Sequence, residues 1–168
     1  MAKTITNKTI GIFGPGAIGG FLAGALWKAG CDVAVIARPD TALRLNAGGI
    51  CLKTKLLGDF IARPTVVERM ASAPALLIVA VKANDLASAL PHIHSAVGEQ
   101  TLIIPFQNGI EHIALLKKEF GERVIVGMIG NIVAEKEKGG CIVSPSASVT
   151  IELGSEDVPQ EKLREVAG

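Results

Sequence analysis

The segment Thr9-Ile-Gly-Ile-Phe-Gly-Pro-Gly-Ala-Ile-Gly-Gly20 restricts this chain to few folds. An apolar run ends at Gly14-x-Gly16-x-x-Gly19, and a helical pattern begins at once. A strand, a glycine turn and a helix in that order make an anion site from main chain alone. The first N–H groups of the helix have no internal partner and lie at the positive end of its dipole. Gly14 permits the tight turn, Gly16 lets phosphates approach, and Gly19 lets helix and strand pack closely. Ala17, Ile18, Phe21, Leu22, Ala25, Leu26 and Ala29 then recur at helical spacing, predicting one apolar face that Gly30 ends. Asp32-Val-Ala-Val-Ile-Ala37 reads as a buried parallel strand that completes a βαβ unit. The competing reading is a glycine-rich turn of another α/β protein.

Arg38 closes that second strand. In NAD-binding units an Asp or Glu stands about 20 residues past the glycines and accepts the ribose 2′-OH. A carboxylate there repels a 2′-phosphate, whereas a guanidinium grips it through paired N–H bonds. Arg38 therefore points to NADP (NADPH), although Asp40 stands close by. The bland alternative is a solvated Arg in an Arg38-Pro-Asp-Thr41 turn.

The remaining chain continues the alternation. A short helix over Ala42–Ala47 and two short strands, Gly49–Lys53 and Asp59–Ala62, are expected, the strands at the sheet edge. Leu76–Val81, Thr101–Ile104 and Arg123–Val126 read as further strands. Leu86, Leu90, Ile93 and Val97 mark a helix capped by Asn84 or Asp85, with Pro91 predicting a kink or late start. Ile110 to Phe120 marks another helix. Asn131–Ala134, Gly140–Val143 and Ser148–Leu153 look like closing strands, and Pro159–Val166 begins a last helix. The fold class is α/β: a doubly wound, mostly parallel Rossmann-type sheet with helices on both faces, in one domain over residues 1–168.

A formal net charge of +1 gives no electrostatic case for nucleic acid or an anionic membrane. Met1–Lys8 lacks the apolar segment of a signal peptide. Cys31, Cys51 and Cys141 are odd in number, widely spaced and set in or beside apolar runs. They read as buried thiols of a reducing, cytoplasmic compartment, not as disulfides or metal ligands.

Two further residues fall at strand ends, where open α/β sheets bind ligands. Lys82 follows the Leu76–Val81 run and can neutralise a cofactor phosphate or touch the adenine side, or it is a solvated strand end. Asn108 either caps the next helix or places its amide beside the nicotinamide ribose. His92 and His94 diverge on a helix and cannot share a metal, and His112 reads as a surface residue. Glu135-Lys-Glu-Lys138 reads as a solvated loop. No Ser/His/Asp set, CxxC, HExxH or general acid stands out.

These residues resemble the N-terminal cofactor domain of the ketopantoate reductase (2-dehydropantoate 2-reductase) family. The resemblance rests on Gly-Pro-Gly-Ala-Ile-Gly-Gly at 14–20, Arg38, Val81-Lys82-Ala83, Gln107-Asn108-Gly109, Gly127 and Thr150–Gly154. It implies cofactor binding by Gly14, Pro15, Gly16, Ala17, Ile18, Gly19, Arg38, Lys82 and Asn108. It also implies NADPH-dependent reduction of ketopantoate, a 2-oxo acid, in pantothenate and coenzyme A biosynthesis. The family's proton donor lies in a helical second domain, which this chain lacks, so a truncated, catalytically incomplete fragment is expected. The alternatives are another NADP-dependent dehydrogenase of hydroxy acids or sugar phosphates, and a non-catalytic NADP-binding module. Tight NADPH binding with an ordered, closed C-terminus near Leu163 would mark the non-catalytic module, whereas an exposed apolar patch around Val143 and Leu163 would mark a lost partner domain. The partner expected is the missing C-terminal domain or a homo-oligomer subunit.

Overall fold

Branched aliphatic runs bounded by glycine and proline make the central strands, because such side chains fit a sheet buried on both faces. The computed structural model describes residues 9–167, so the Met1–Lys8 segment lies outside the described residues. The order is β1 (Ile10–Phe13), α1 (Ala17–Lys28), β2 (Val33–Ile36), α2 (Pro39–Gly48), β3 (Ile50–Thr54) and β4 (Gly58–Ala62). Then come β5 (Thr65–Val67), β6 (Leu76–Val79), α3 (Leu86–Ala96), β7 (Leu102–Pro105) and α4 (Glu111–Phe120). The chain continues through β8 (Val126–Gly130), β9 (Glu135–Lys136), β10 (Ile142–Ser144), β11 (Thr150–Gly154) and α5 (Gln160–Ala167).

The central sheet is parallel, in the order β5-β2-β1-β6-β7. Its side chains alternate between two cores, as a period of two requires. Ile10, Ile12, Leu76, Ile78 and Ile104 face Phe21 and Leu22 of α1 and Leu163 of α5. Leu77, Val79 and Ile103 face Leu86 and Ile93 of α3 and Leu116 and Phe120 of α4. The sheet is thus Rossmann-like and covered on both faces.

The strands expected at the sheet edge lie elsewhere. β3 and β4 join β10 and β9 in a second sheet, ordered β4-β3-β10-β9, that lies over α1. Small residues on the helix make this close approach feasible. A Cβ on Gly24 would stand 2.5 Å from Leu52 Cδ1, and one on Gly20 would collide with Ile142 Cδ1. Consequently α1 is clasped between two sheets, with Gly19 to Gly24 all buried, more than the single apolar face its spacing predicts. Burial of Leu52 and Ile142 stabilises this layer by about 1.5–3 kcal/mol per side chain. The central sheet instead ends at β7 on one side and at β5 on the other, a three-residue strand unassigned from sequence.

Other expectations shift as well. The run at Arg123–Val126 divides: Arg123 ends a 3-10 turn, Val124 bridges Ile103, and β8 begins at Val126 as the antiparallel partner of β11. Asn131–Ala134 is not a strand; Asn131 turns the chain at φ +57°, and the charged Glu135–Lys136 pairs with β10 instead. α3 runs through Pro91 from Leu86 without a late start, and neither Asn84 nor Asp85 makes a side-chain cap bond.

The cysteine reading is also corrected. Cys51 on β3 and Cys141 beside β10 are disulfide-bonded, leaving Cys31 as the free thiol among the described residues. Parallel pairing of β10 with β3 brings together residues 90 apart in sequence. The cysteines therefore give no argument for a reducing compartment. Leu163 is buried, lining an apolar cavity of about 370 Å³ with Ile10, Leu76 and Leu153. The exposed large apolar residues are scattered instead over several elements, among them Leu43, Ile110, Met128 and Val133. No helix among the described residues is long and apolar enough to cross a membrane.

Candidate cofactor site

Because the central strands are parallel, their C-terminal ends form one edge, and every residue singled out at a strand end lies along it. The order β2-β1-β6-β7 places Arg38, the glycine turn, Lys82 and Asn108 in that sequence across the edge. With neighbouring strands about 4.8 Å apart, the row spans about 14 Å. The strand order reverses between β1 and β6, and a crevice opens at such a reversal.

The three glycines of the turn have different surroundings. Gly14 adopts φ +92°, and a Cβ there would stand 2.7 Å from Val81 Cγ1. A Cβ on Gly19 would collide with the Gly14 carbonyl oxygen. Both are therefore fixed by packing. Gly16 differs, with no protein atom within 4 Å of its Cβ position. It caps α1 without a side-chain bond, and the first turn holds no acidic residue. The N–H groups of Ala17, Ile18 and Gly19 open the helix beneath it. The turn thus presents open space in front of unpaired donors, which fits an anionic group of a bound cofactor.

Arg38 is exposed and precedes Pro39, the first residue of α2. The Arg38–Thr41 segment is therefore a helix start and not an isolated turn. Among the described residues the ion pairs are His94–Glu119 and Lys117–Asp157, so the Arg38 guanidinium is committed to neither. Lys82 is exposed on the opposite side of β1 from Arg38. Asn108 is exposed too, and it does not cap α4: Ile110 occupies that position, without a side-chain bond.

Two residues near this edge escaped the sequence reading. Gln107 Nε2 donates to the Val81 carbonyl at 2.8 Å, tying the β7 exit to the β6 exit beside Gly14, while its buried Oε1 has no partner. The Gln107-Asn108-Gly109 motif contained it, but no role follows from its spacing. Lys136 Nζ lies 3.5 Å from the Pro15 carbonyl oxygen, a contact that no local pattern could disclose. His112 is 7% exposed and not a surface residue. Burial lowers its pKa, against a smaller opposing effect of the Glu111 carboxylate. No group of three or more His, Cys, Asp or Glu among the described residues is placed to hold a metal.

The model of the family "Ketopantoate reductase PanE/ApbA" matches residues 10–156. The chain belongs to the ketopantoate reductase family. A 2-dehydropantoate 2-reductase of Mesorhizobium japonicum is 35% identical over 107 residues, covering 60% of this chain and 32% of that protein. An uncharacterized oxidoreductase of Bacillus subtilis is 26% identical over 138 residues, covering 82% of this chain and 45% of that protein. The crystal structure of 2-dehydropantoate 2-reductase from Methylococcus capsulatus superposes with a TM-score of 0.81 at 28% identity, covering 95% of this chain and 53% of that one. This ketopantoate reductase-family chain therefore spans about half the length, or less, of these relatives. The family it belongs to is one of oxidoreductases.

Proposed function

We propose that this chain is the NADPH-binding domain of a 2-dehydropantoate 2-reductase, which reduces ketopantoate to pantoate by hydride transfer. The observation that carries the reading is the row Arg38, glycine turn, Lys82, Asn108 along one sheet edge, with Gly16 open at its centre. Arg38 would take the 2′-phosphate through its N–H fork, and the amides at Ala17–Gly19 would take the pyrophosphate. Lys82 lies across β1 from Arg38, a position that favours a phosphate or ribose role over contact with adenine. Asn108 would orient the nicotinamide ribose by donating and accepting hydrogen bonds. The cofactor supplies the hydride; the chain's own residues bind and orient it.

The relatives are about twice as long as this chain. On this reading the domain is catalytically incomplete alone, and the exposed Val126 and Met128, on one face of β8, offer apolar surface that a substrate domain or a second subunit would cover.

The test follows NADPH oxidation with 2-dehydropantoate, first with this chain and then with a fusion to the C-terminal half of the Methylococcus capsulatus relative. No turnover by the chain alone and turnover by the fusion are expected. Turnover by the chain alone would refute the incompleteness. A fusion that binds NADPH and reduces other 2-oxo acids but not this one would refute the substrate.

A further inference from the structure

Lys136 is carried by a hairpin whose place over the glycine turn is fixed from three directions. β9 pairs with β10 in the register Ile142–Lys136, and Glu137 N–H donates to the Cys141 carbonyl at 2.9 Å. The Cys51–Cys141 bond fastens that hairpin to β3, and Ile142 seats on Gly20 of α1. The same helix begins at the glycine turn, so the height of the hairpin above the turn is set by the packing of the helix.

From there the Lys136 ammonium reaches the main chain of the turn itself, at the Pro15 carbonyl. Its side chain is exposed, and a second cation, Arg44, lies nearby. Desolvation lowers its pKa, and Arg44 of α2 lowers it further. It belongs to neither ion pair among the described residues. Lys136 thus stands at the N-terminus of α1 with the Arg44 guanidinium as a like-charged neighbour and no ion-pair partner among the described residues, which leaves positive charge beside the turn.

Taking the cofactor reading of the turn as its basis, we infer that Lys136 is a pyrophosphate ligand, delivered by the second sheet. On binding, its ammonium exchanges the Pro15 carbonyl for a phosphate oxygen and supplies the full positive charge that the Ala17–Gly19 amides lack. Its partner is the pyrophosphate, common to NADPH and NADH, and not the 2′-phosphate assigned to Arg38.

The test compares binding of NADPH and of NADH to the wild-type chain and to Lys136→Met, Lys136→Arg and Lys138→Met, each checked by its thermal melt. Lys136→Met is expected to weaken both nucleotides by a similar factor, about tenfold. Lys136→Arg should recover most of the loss, and Lys138→Met, on the same hairpin, should bind as the wild type does. Unchanged affinity in a folded Lys136→Met protein would overturn the inference, and so would a loss confined to NADPH. Failure of the wild-type chain to bind either nucleotide would instead refute the cofactor reading of the turn, and the inference with it.

Discussion

A side chain on Gly19 would occupy the position of the Gly14 carbonyl oxygen, so the first and last glycines of the turn are pressed together. Five residues away from Gly14 in sequence, Gly19 closes the turn by packing, while Gly16 between them faces open space. The same motif therefore has glycines fixed by packing at its ends and one facing open space in the middle.

This separation predicts opposite behaviour of two variants. Gly19→Ala should destabilise the domain by about 1–3 kcal/mol, because the clash is with backbone that cannot yield. Gly16→Val should cost only about 1 kcal/mol at its cap position. It should nonetheless abolish binding of both NADPH and NADH, by filling the space in front of the helix. Thermal melts together with nucleotide titration distinguish them. A destabilised Gly16→Val or a Gly19→Ala as stable as wild type would reverse the assignment.

Arg38→Ala removes the only basic residue at the end of β2 and leaves the turn intact. NADPH affinity should fall by about 1.5–3 kcal/mol, the value of hydrogen bonds to a charged group. NADH affinity should remain within about twofold of wild type. Equal losses would place Arg38 away from the 2′-phosphate.

The Cys51–Cys141 bond closes a long loop, with a sequence separation of 90. Its reduction should lower stability by about 2–4 kcal/mol, through the greater freedom of the unfolded chain. Alkylation of the denatured, non-reduced protein should label one thiol per chain, and reduction beforehand should raise this to three. Three labelled thiols without reductant would return all the cysteines to the reduced state.

His112 gives a pH dependence with a definite sign. Its folded pKa is lowered by burial, so the unfolded chain binds the proton more readily. Its contribution to stability is fully present above the unfolded value, about 6.5, and declines as pH falls below it toward the folded pKa. Replacing His112 by Gln should flatten the acid side of a plot of melting temperature against pH. An unchanged acid limb would assign the loss of stability to other groups.

The first βαβ unit was legible in the sequence because its signals are local: an apolar run, three glycines and a helical period. Arg38, Lys82 and Asn108 were legible as strand-end residues, since parallel strands deliver all their C-terminal ends to one edge. The second sheet was hidden for a different reason. Leu52 and Ile142 lie far apart in sequence, and their meeting over Gly20 and Gly24 is a long-range packing event with no local period. Cys51 and Cys141 were misread on the same account, since only the pairing of β10 with β3 makes them neighbours. Lys136 lay in a charged run whose ordinary meaning is a solvated loop, and its approach to Pro15 depends on that same pairing. His112 was misplaced because a polar residue at a helix start gives no sign of which face the helix buries.

Whether this sheet edge binds NADPH through Arg38 and the glycine turn is decided by calorimetric titration of the 168-residue chain with NADPH and, separately, with NADH. Saturable binding of NADPH at one site is expected, with NADH bound at least tenfold more weakly. Equal affinity for the two, or binding of neither, would contradict it.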